Sequence, residues 1–191
     1  MTFVGGQSGD LRIERMTAVA GDPLPAASHL ALHPTLLPHT GAVLPHTDAV
    51  LPHTDAAWTL RGVTGHARYV ERPEKTPLDA QSPSLGRPEA TLAVLIPIRK
   101  SSAWWALPQD ERRAIFEQRS RHIADSMQYL PRIARRLYQA RELGDDFDFL
   151  TWFEFAPEHA AAFDELLGLL RSREEWRYVE REVEVRLIRA G

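Results

Sequence analysis

Residues Lys100–Arg135 read KSSAWWALPQDERRAIFEQRSRHIADSMQYLPRIAR, and the way this stretch folds decides the plan of the chain. It follows Thr91–Ile98 (TLAVLIPI), a near-continuous apolar run with the pattern of a strand buried on both faces. Pro97 removes a ladder donor, which places the exit of that strand near an edge or a bulge. Pro108 suits a first helical turn, and Asp110 and Glu111 suit its positive end. Phe116, Ile123 and Met127 then form an apolar stripe at helical spacing, with His122 on the flank beside Ile115 and Ser126. Pro131 separates a second predicted helix, whose apolar face is Ile133, Leu137 and Ala140. Arg135 falls on its opposite side with Arg132, Gln139 and Glu142, and Gly144-Asp145-Asp146 stops it.

Downstream, Phe147–Phe155 (FDFLTWFEF) is an aromatic-rich strand. Pro157–Leu170 is an amphipathic helix with Phe163, Leu166, Leu167 and Leu170 inside, and Val183–Ile188 is an alternating closing strand. Strand, helices, strand, helix, strand predicts an α+β fold, a ferredoxin-like antiparallel sheet with helices on one face. Upstream, a strand is expected from Asp10 to Val19 and a short helix at Ala27–Leu32. Trp58–Val63 and His66–Val70 read as a hairpin around Thr64-Gly65, and Pro73–Gln81 as a short helix or turn. Residues 1–90 are therefore expected to be a reduced N-terminal copy of the plan, and residues 91–191 the C-terminal half.

Between these elements lies a repeat: LPHTGAV, LPHTDAV and LPHTDAA over residues 37–57. A proline in every unit rules out a coiled coil, and the period is far shorter than that of a solenoid. His39, His46 and His53 admit a metal-binding tract; a duplicated, extended surface loop is the alternative.

The 191 residues suffice for one domain or two small packed ones. A net charge of −3 gives no basic field to gather nucleic acid. The absence of cysteine excludes disulfides, thiol nucleophiles, zinc-thiolate sites and covalent haem attachment. No apolar run reaches membrane-span length, and the N-terminus lacks the pattern of a secretory signal, so a cytoplasmic protein is expected. Phosphate-loop, GxSxG and HExxH motifs are also missing. On residue types alone, His122 is a structural histidine or a ligand, and Arg135 a solvated charge or a fixed cation.

Five features in order resemble the chlorite dismutase family: KSSAWW, the His 22 residues after its Lys, LPRIARRLY, FDFLTWFEF and EEWRYVEREV. The likeness runs from about Trp58 to the C-terminus and is nearest the short-chain, dimeric branch; the LPHT repeats have no counterpart in it. It implies a non-covalent haem b, with His122 as the proximal iron ligand, Glu175 as the carboxylate on that histidine, and Lys100 in the same network. Arg68, Tyr69 and Val70 fall where the family contacts haem propionates, and Trp104 matches a proximal aromatic. Arg135 matches the charged residue over the open distal face, with Leu137, Thr151 and Phe153 on its apolar wall. The implied reaction converts the chlorite anion to chloride and dioxygen, with O–O bond formation at the haem iron, in a homodimer. The alternatives are a haem-binding or haem-handling protein or weak peroxidase with little chlorite activity, and a non-haem dimeric module with the tryptophan pair as interface.

Overall fold

The computed structural model describes residues 1–34, 55–65 and 69–189. Its strands are β1 (Thr2–Gly6), β2 (Leu11–Ala20), β3 (His29–His33), β4 (Trp58–Arg61), β5 (Leu92–Lys100), β6 (Ile133–Gln139), β7 (Phe149–Phe155) and β8 (Val179–Arg189). The helices are α1 (Arg72–Gln81), α2 (Ser102–Ala106), α3 (Gln109–Arg113), α4 (His122–Ser126) and α5 (Ala160–Arg171).

All eight strands join one antiparallel sheet in the order β4-β1-β3-β2-β8-β5-β7-β6. Each half repeats the same order, fourth-first-third-second, which is the ferredoxin-like arrangement. The halves meet where β2 pairs with β8. The outer edges also approach each other, since Val63 and Gln139 exchange backbone hydrogen bonds of 2.8 and 2.9 Å. The sheet is thus curled almost onto itself.

The first half lacks the crossover helix between β1 and β2 for a geometric reason. Gly6 ends β1 opposite His29, and Leu11 starts β2 opposite Leu30, so the chain need not travel back along the sheet. Residues 7–10 cross over β3 directly. Gly9 makes that crossing: a Cβ there would stand 2.4 Å from the Leu30 carbonyl.

Inside the curl, Phe3, Leu30, Trp58 and Leu60 pack against Leu95, Leu150, Trp152 and Val185. On the outside of the second half, Val94, Ile96, Ile133, Phe153 and Phe155 lie under Phe163, Leu166 and Leu167 of α5. Each large side chain so buried contributes about 1.5–3 kcal/mol. A smaller cluster of Leu78, Ile123 and Leu130 holds α1 against α4. No described helix is long and apolar enough to cross a membrane.

Several local expectations are corrected. The predicted second helix is β6, paired along its whole length with β7 from Ile133 opposite Phe155 to Gln139 opposite Phe149. Its Ala, Arg, Leu and Gln content favours a helix locally, but a strand here satisfies the open edge of β7. Residues of one face now recur every second position, so Arg135 shares a face with Ile133 and Leu137 rather than opposing them. Ala27–Leu32 is not helical; β3 occupies most of it, between β1 and β2. Trp58–Arg61 is a strand but pairs with β1, not with a hairpin partner, while residues 66–68 lie outside the described residues. Most of the LPHT repeat, 37–54, also lies outside them.

Pro97 sits within β5, flanked by β7 and β8, rather than at an edge. The β5–β8 ladder skips Ile96 and Pro97 and resumes at Ile98, with its bulge farther on at Arg99/Lys100. The long helix expected from Pro108 is broken: α3 runs into a π turn, Ala114–Arg119, and the chain restarts as α4.

Candidate active site

The sheet face under the helices is a grid set by strand register. Arg135 of β6 lies abreast of Phe153, and Leu137 abreast of Thr151. Phe153 and Thr151 in turn lie abreast of Val94 and Ile96 of β5. This grid forms one wall of a cavity of about 450 Å³, within the roughly 300–1,000 Å³ usual for ligand and cofactor sites. The helical segments form the other wall, with Tyr69, Val70, Trp104, Phe116, His122 and Ile123.

The helix break aims His122. The Ser120 N–H reaches back to the Ile115 carbonyl at 3.0 Å, an i to i−5 bond that widens the turn. Arg121 then adopts φ +52°, a left-handed conformation that costs a non-glycine residue about 1–2 kcal/mol. Such breaks cluster at functional sites. The new helix begins at His122, and the Glu117 carboxylate accepts its free Ile123 and Ala124 N–H groups at 2.6 and 3.1 Å. Phe116 stacks on the imidazole, with ring centroids 4.4 Å apart and planes 22° from parallel.

His122 Nδ1 lies 2.8 Å from Glu175 Oε2, and Lys100 Nζ donates to Glu175 Oε1 at 2.7 Å. The Glu175 N–H donates at 3.0 Å to Oγ of Ser120, which is fully buried. Burial alone would raise the Glu175 pKa. Lys100 and then His122 outweigh it and hold the carboxyl down at about 2. Glu175 is therefore an anion at neutral pH, and the imidazole donates from Nδ1. Nε2 has no partner among the described residues. Lys100 is set by the end of β5, where the Asp148 carboxylate accepts its backbone N–H at 2.7 Å.

Arg135 lines the same cavity and has no hydrogen-bond or ion-pair partner among the described residues. Burial lowers its pKa from the ordinary value. Guanidinium basicity is high enough that it remains charged at neutral pH. Trp104 is 1% exposed, and its Nε1–H has no acceptor among the described residues. Its ring meets Tyr69 edge-on at 5.9 Å and carries Lys100 Nζ at 4.8 Å from the centroid.

A family model described as chlorite dismutase matches residues 33–189.

The chain belongs to the chlorite dismutase family.

It is 55% identical to the dimeric chlorite dismutase of Nitrobacter winogradskyi, covering 99% of each chain with a TM-score of 0.87. Chlorite dismutase of Candidatus Nitrospira defluvii, in complex with imidazole, is 31% identical over 70% of this chain and 55% of that one, with a TM-score of 0.57. The chlorite dismutase of Ideonella dechloratans is 26% identical over 122 residues, 63% of this chain and 41% of that protein. The chain thus spans about two fifths of the length of that curated relative.

Of the residues that resemble family positions, Lys100, Tyr69, Val70, Trp104, His122, Arg135, Leu137, Thr151, Phe153 and Glu175 all line the one cavity. Arg68 lies outside the described residues. Leu137, 40% exposed, is the one exposed large hydrophobic residue among the described residues. Three contributors escaped the sequence reading. Phe116 was legible only as a helix-stripe residue, Ser120 carries no pattern at all, and Glu117 acts as a cap only because the helix breaks.

The cavity residues fit a haem. They provide an imidazole nitrogen and a cation that have no partner among the described residues, and an apolar slot between them. Trp104 adds a buried N–H, without an acceptor among the described residues, suited to an acceptor such as a haem carboxylate.

Proposed function

We propose that this chain binds haem b without covalent attachment and converts chlorite to chloride and dioxygen. The observation that carries this reading is Arg135: a cation without a partner among the described residues, in the wall of an apolar cavity whose other wall bears a carboxylate-held imidazole. Bound there, the haem iron would supply the oxygen-transfer and O–O bond-forming chemistry.

The chain's own residues have distinct tasks. His122 would hold the iron through Nε2. Glu175 accepts from Nδ1, which fixes the tautomer, turns the ring and makes Nε2 a stronger donor. Lys100 balances the Glu175 charge, so this hydrogen-bonded pair is not left as a lone buried anion. Tyr69, Val70 and Trp104 would bound the cofactor's polar edge, together with Arg68. Arg135 attracts the chlorite anion and keeps the reacting fragments close. Leu137, Thr151 and Phe153 limit water around it, which strengthens that attraction.

The same Arg135 favours chlorite chemistry over mere haem handling, because a transport or storage site needs no unpaired cation beside the open coordination position. In this reading residues 91–191 are the haem-binding half and carry the site apart from Arg68, Tyr69 and Val70, residues 1–90 are the reduced half, and the protein is cytoplasmic and a homodimer, as the Nitrobacter relative is dimeric. Oxygen-electrode traces with chlorite test it: haem-loaded protein should evolve about one dioxygen per chlorite consumed. Haem-loaded protein that consumes no chlorite would overturn the assignment.

A further inference from the structure

The 3₁₀ turn Glu174–Tyr178 carries the carboxylate that orients His122, and it is braced on two sides. Toward the histidine helix, Arg173 pairs with Asp125, Glu174 with Arg119 at 3.1 Å, and the Glu175 N–H with Ser120 Oγ. These bonds tie the turn to the segment that it orients, so they do not fix the pair relative to the sheet. Lys100, at the end of β5, supplies one link to the sheet. Ser101, just past β5, supplies a second, its N–H donating to the Tyr178 carbonyl at 2.8 Å. A third begins at the residue after Glu175: Trp176 Nε1–H donates to Glu182 Oε2 at 2.8 Å.

Glu182 lies on β8 and is 3% exposed. Its Oε1 accepts from Arg171 Nε at 2.9 Å and Arg171 Nη2 at 2.5 Å. Arg171, at the end of α5, also donates from Nη2 to the buried Glu184 at 2.7 Å. Arg186 Nε donates to Glu184 Oε1 at 2.6 Å. Burying such a network adds little net stability over an apolar packing. Its geometric consequence is specific: α5 and β8 together grip the indole adjacent to Glu175. Arg171, Trp176 and Glu182 also line the cavity that holds His122.

We propose that Glu182, anchored by Arg171, is a positioning residue for the His122–Glu175 pair, acting through the Trp176 indole. It sets where Glu175 Oε2 stands relative to the sheet, and hence the tautomer and direction of the imidazole. This deepens the haem reading above and rests on it for its consequences at iron. The hydrogen-bond coupling itself is a property of the chain alone.

The test uses Trp176→Phe, which keeps an aromatic body and removes only the donor, and Glu182→Gln as a second variant. In the full-length apoprotein, 15N NMR of labelled histidine reads the His122 tautomer. The wild type should show Nδ1–H, and Trp176→Phe a mixture with Nε2–H. In the haem-loaded protein, the ferrous iron–histidine stretching frequency should fall and the haem dissociation constant rise about tenfold, the lower end for losing an outer partner of a metal ligand. A folded variant with an unchanged tautomer and an unchanged stretching frequency overturns the proposal. If neither variant folds, the Nε1–H resonance of Trp176 in the wild type decides. Slow exchange and a downfield shift support the grip, and fast exchange overturns it. Failure of the wild type to bind haem would strike the functional reading while leaving the tautomer result standing.

Discussion

His122 and Glu175, 53 residues apart in sequence, meet at 2.8 Å between Nδ1 and Oε2 because a π turn and a left-handed residue turn one helix segment toward a 3₁₀ turn beside β8. The pair has a measurable signature in acid. The Glu175 pKa falls from 4.5 to about 2 on folding. The unfolded chain therefore binds the extra proton first as pH drops, and the stability tied to this carboxylate is present above 4.5 and lost toward 2. Glu175→Gln should lower stability at pH 7 by about 3 kcal/mol, and the gap from wild type should close between pH 4.5 and 2. Urea unfolding at a series of pH values measures it.

Removing the unpaired cation should separate stability from turnover. Arg135→Ala should bind haem normally, and its apoprotein should melt no lower than wild type, since a half-buried charge without a partner contributes no favourable pairing. Oxygen evolution should fall about 10²–10³-fold, the scale of losing one oriented charge at a reacting centre. Hypochlorite released to a chlorination probe should rise. Unchanged turnover with no added leakage would refute the role given to Arg135.

The iron ligand is tested by haem content. His122→Ala should bring haem occupancy well below that of wild type at equal protein and should remove the wild-type Soret position. A normal Soret band in that variant would identify a different ligand.

The cap on the restarted helix carries its own prediction. Glu117→Ala frees the Ile123 and Ala124 N–H groups and should cost about 1–2 kcal/mol of stability, as loss of a helix cap does. Because His122 is the first residue of that helix, haem affinity should fall too. Thermal melting and haem titration measure the two effects separately.

Legibility followed the range of the forces involved. The run Leu92–Lys100 and the amphipathic Ala160–Arg171 were readable because burial writes its period directly into the sequence. Phe149–Phe155 was readable from its aromatic and β-branched content. The residues that matter at the site were readable only through likeness to a family, since periodicity left His122 on a flank and Arg135 on a polar helix face.

By itself the sequence determined the α+β class, the helices on one face, and the exclusion of any covalent thiol-linked cofactor. Tertiary structure alone decided that residues 133–139 are a strand, because the hydrogen-bonding edge of β7 outweighs the modest helix propensity of Arg, Ala and Gln. That one change moved Arg135 from a solvent face onto the cavity wall beside Leu137. Folding also brought Glu175 to Lys100 and His122, 75 and 53 residues away, as the family resemblance implied, and gave Glu182 the contacts with Arg171 and Trp176 that no motif marks.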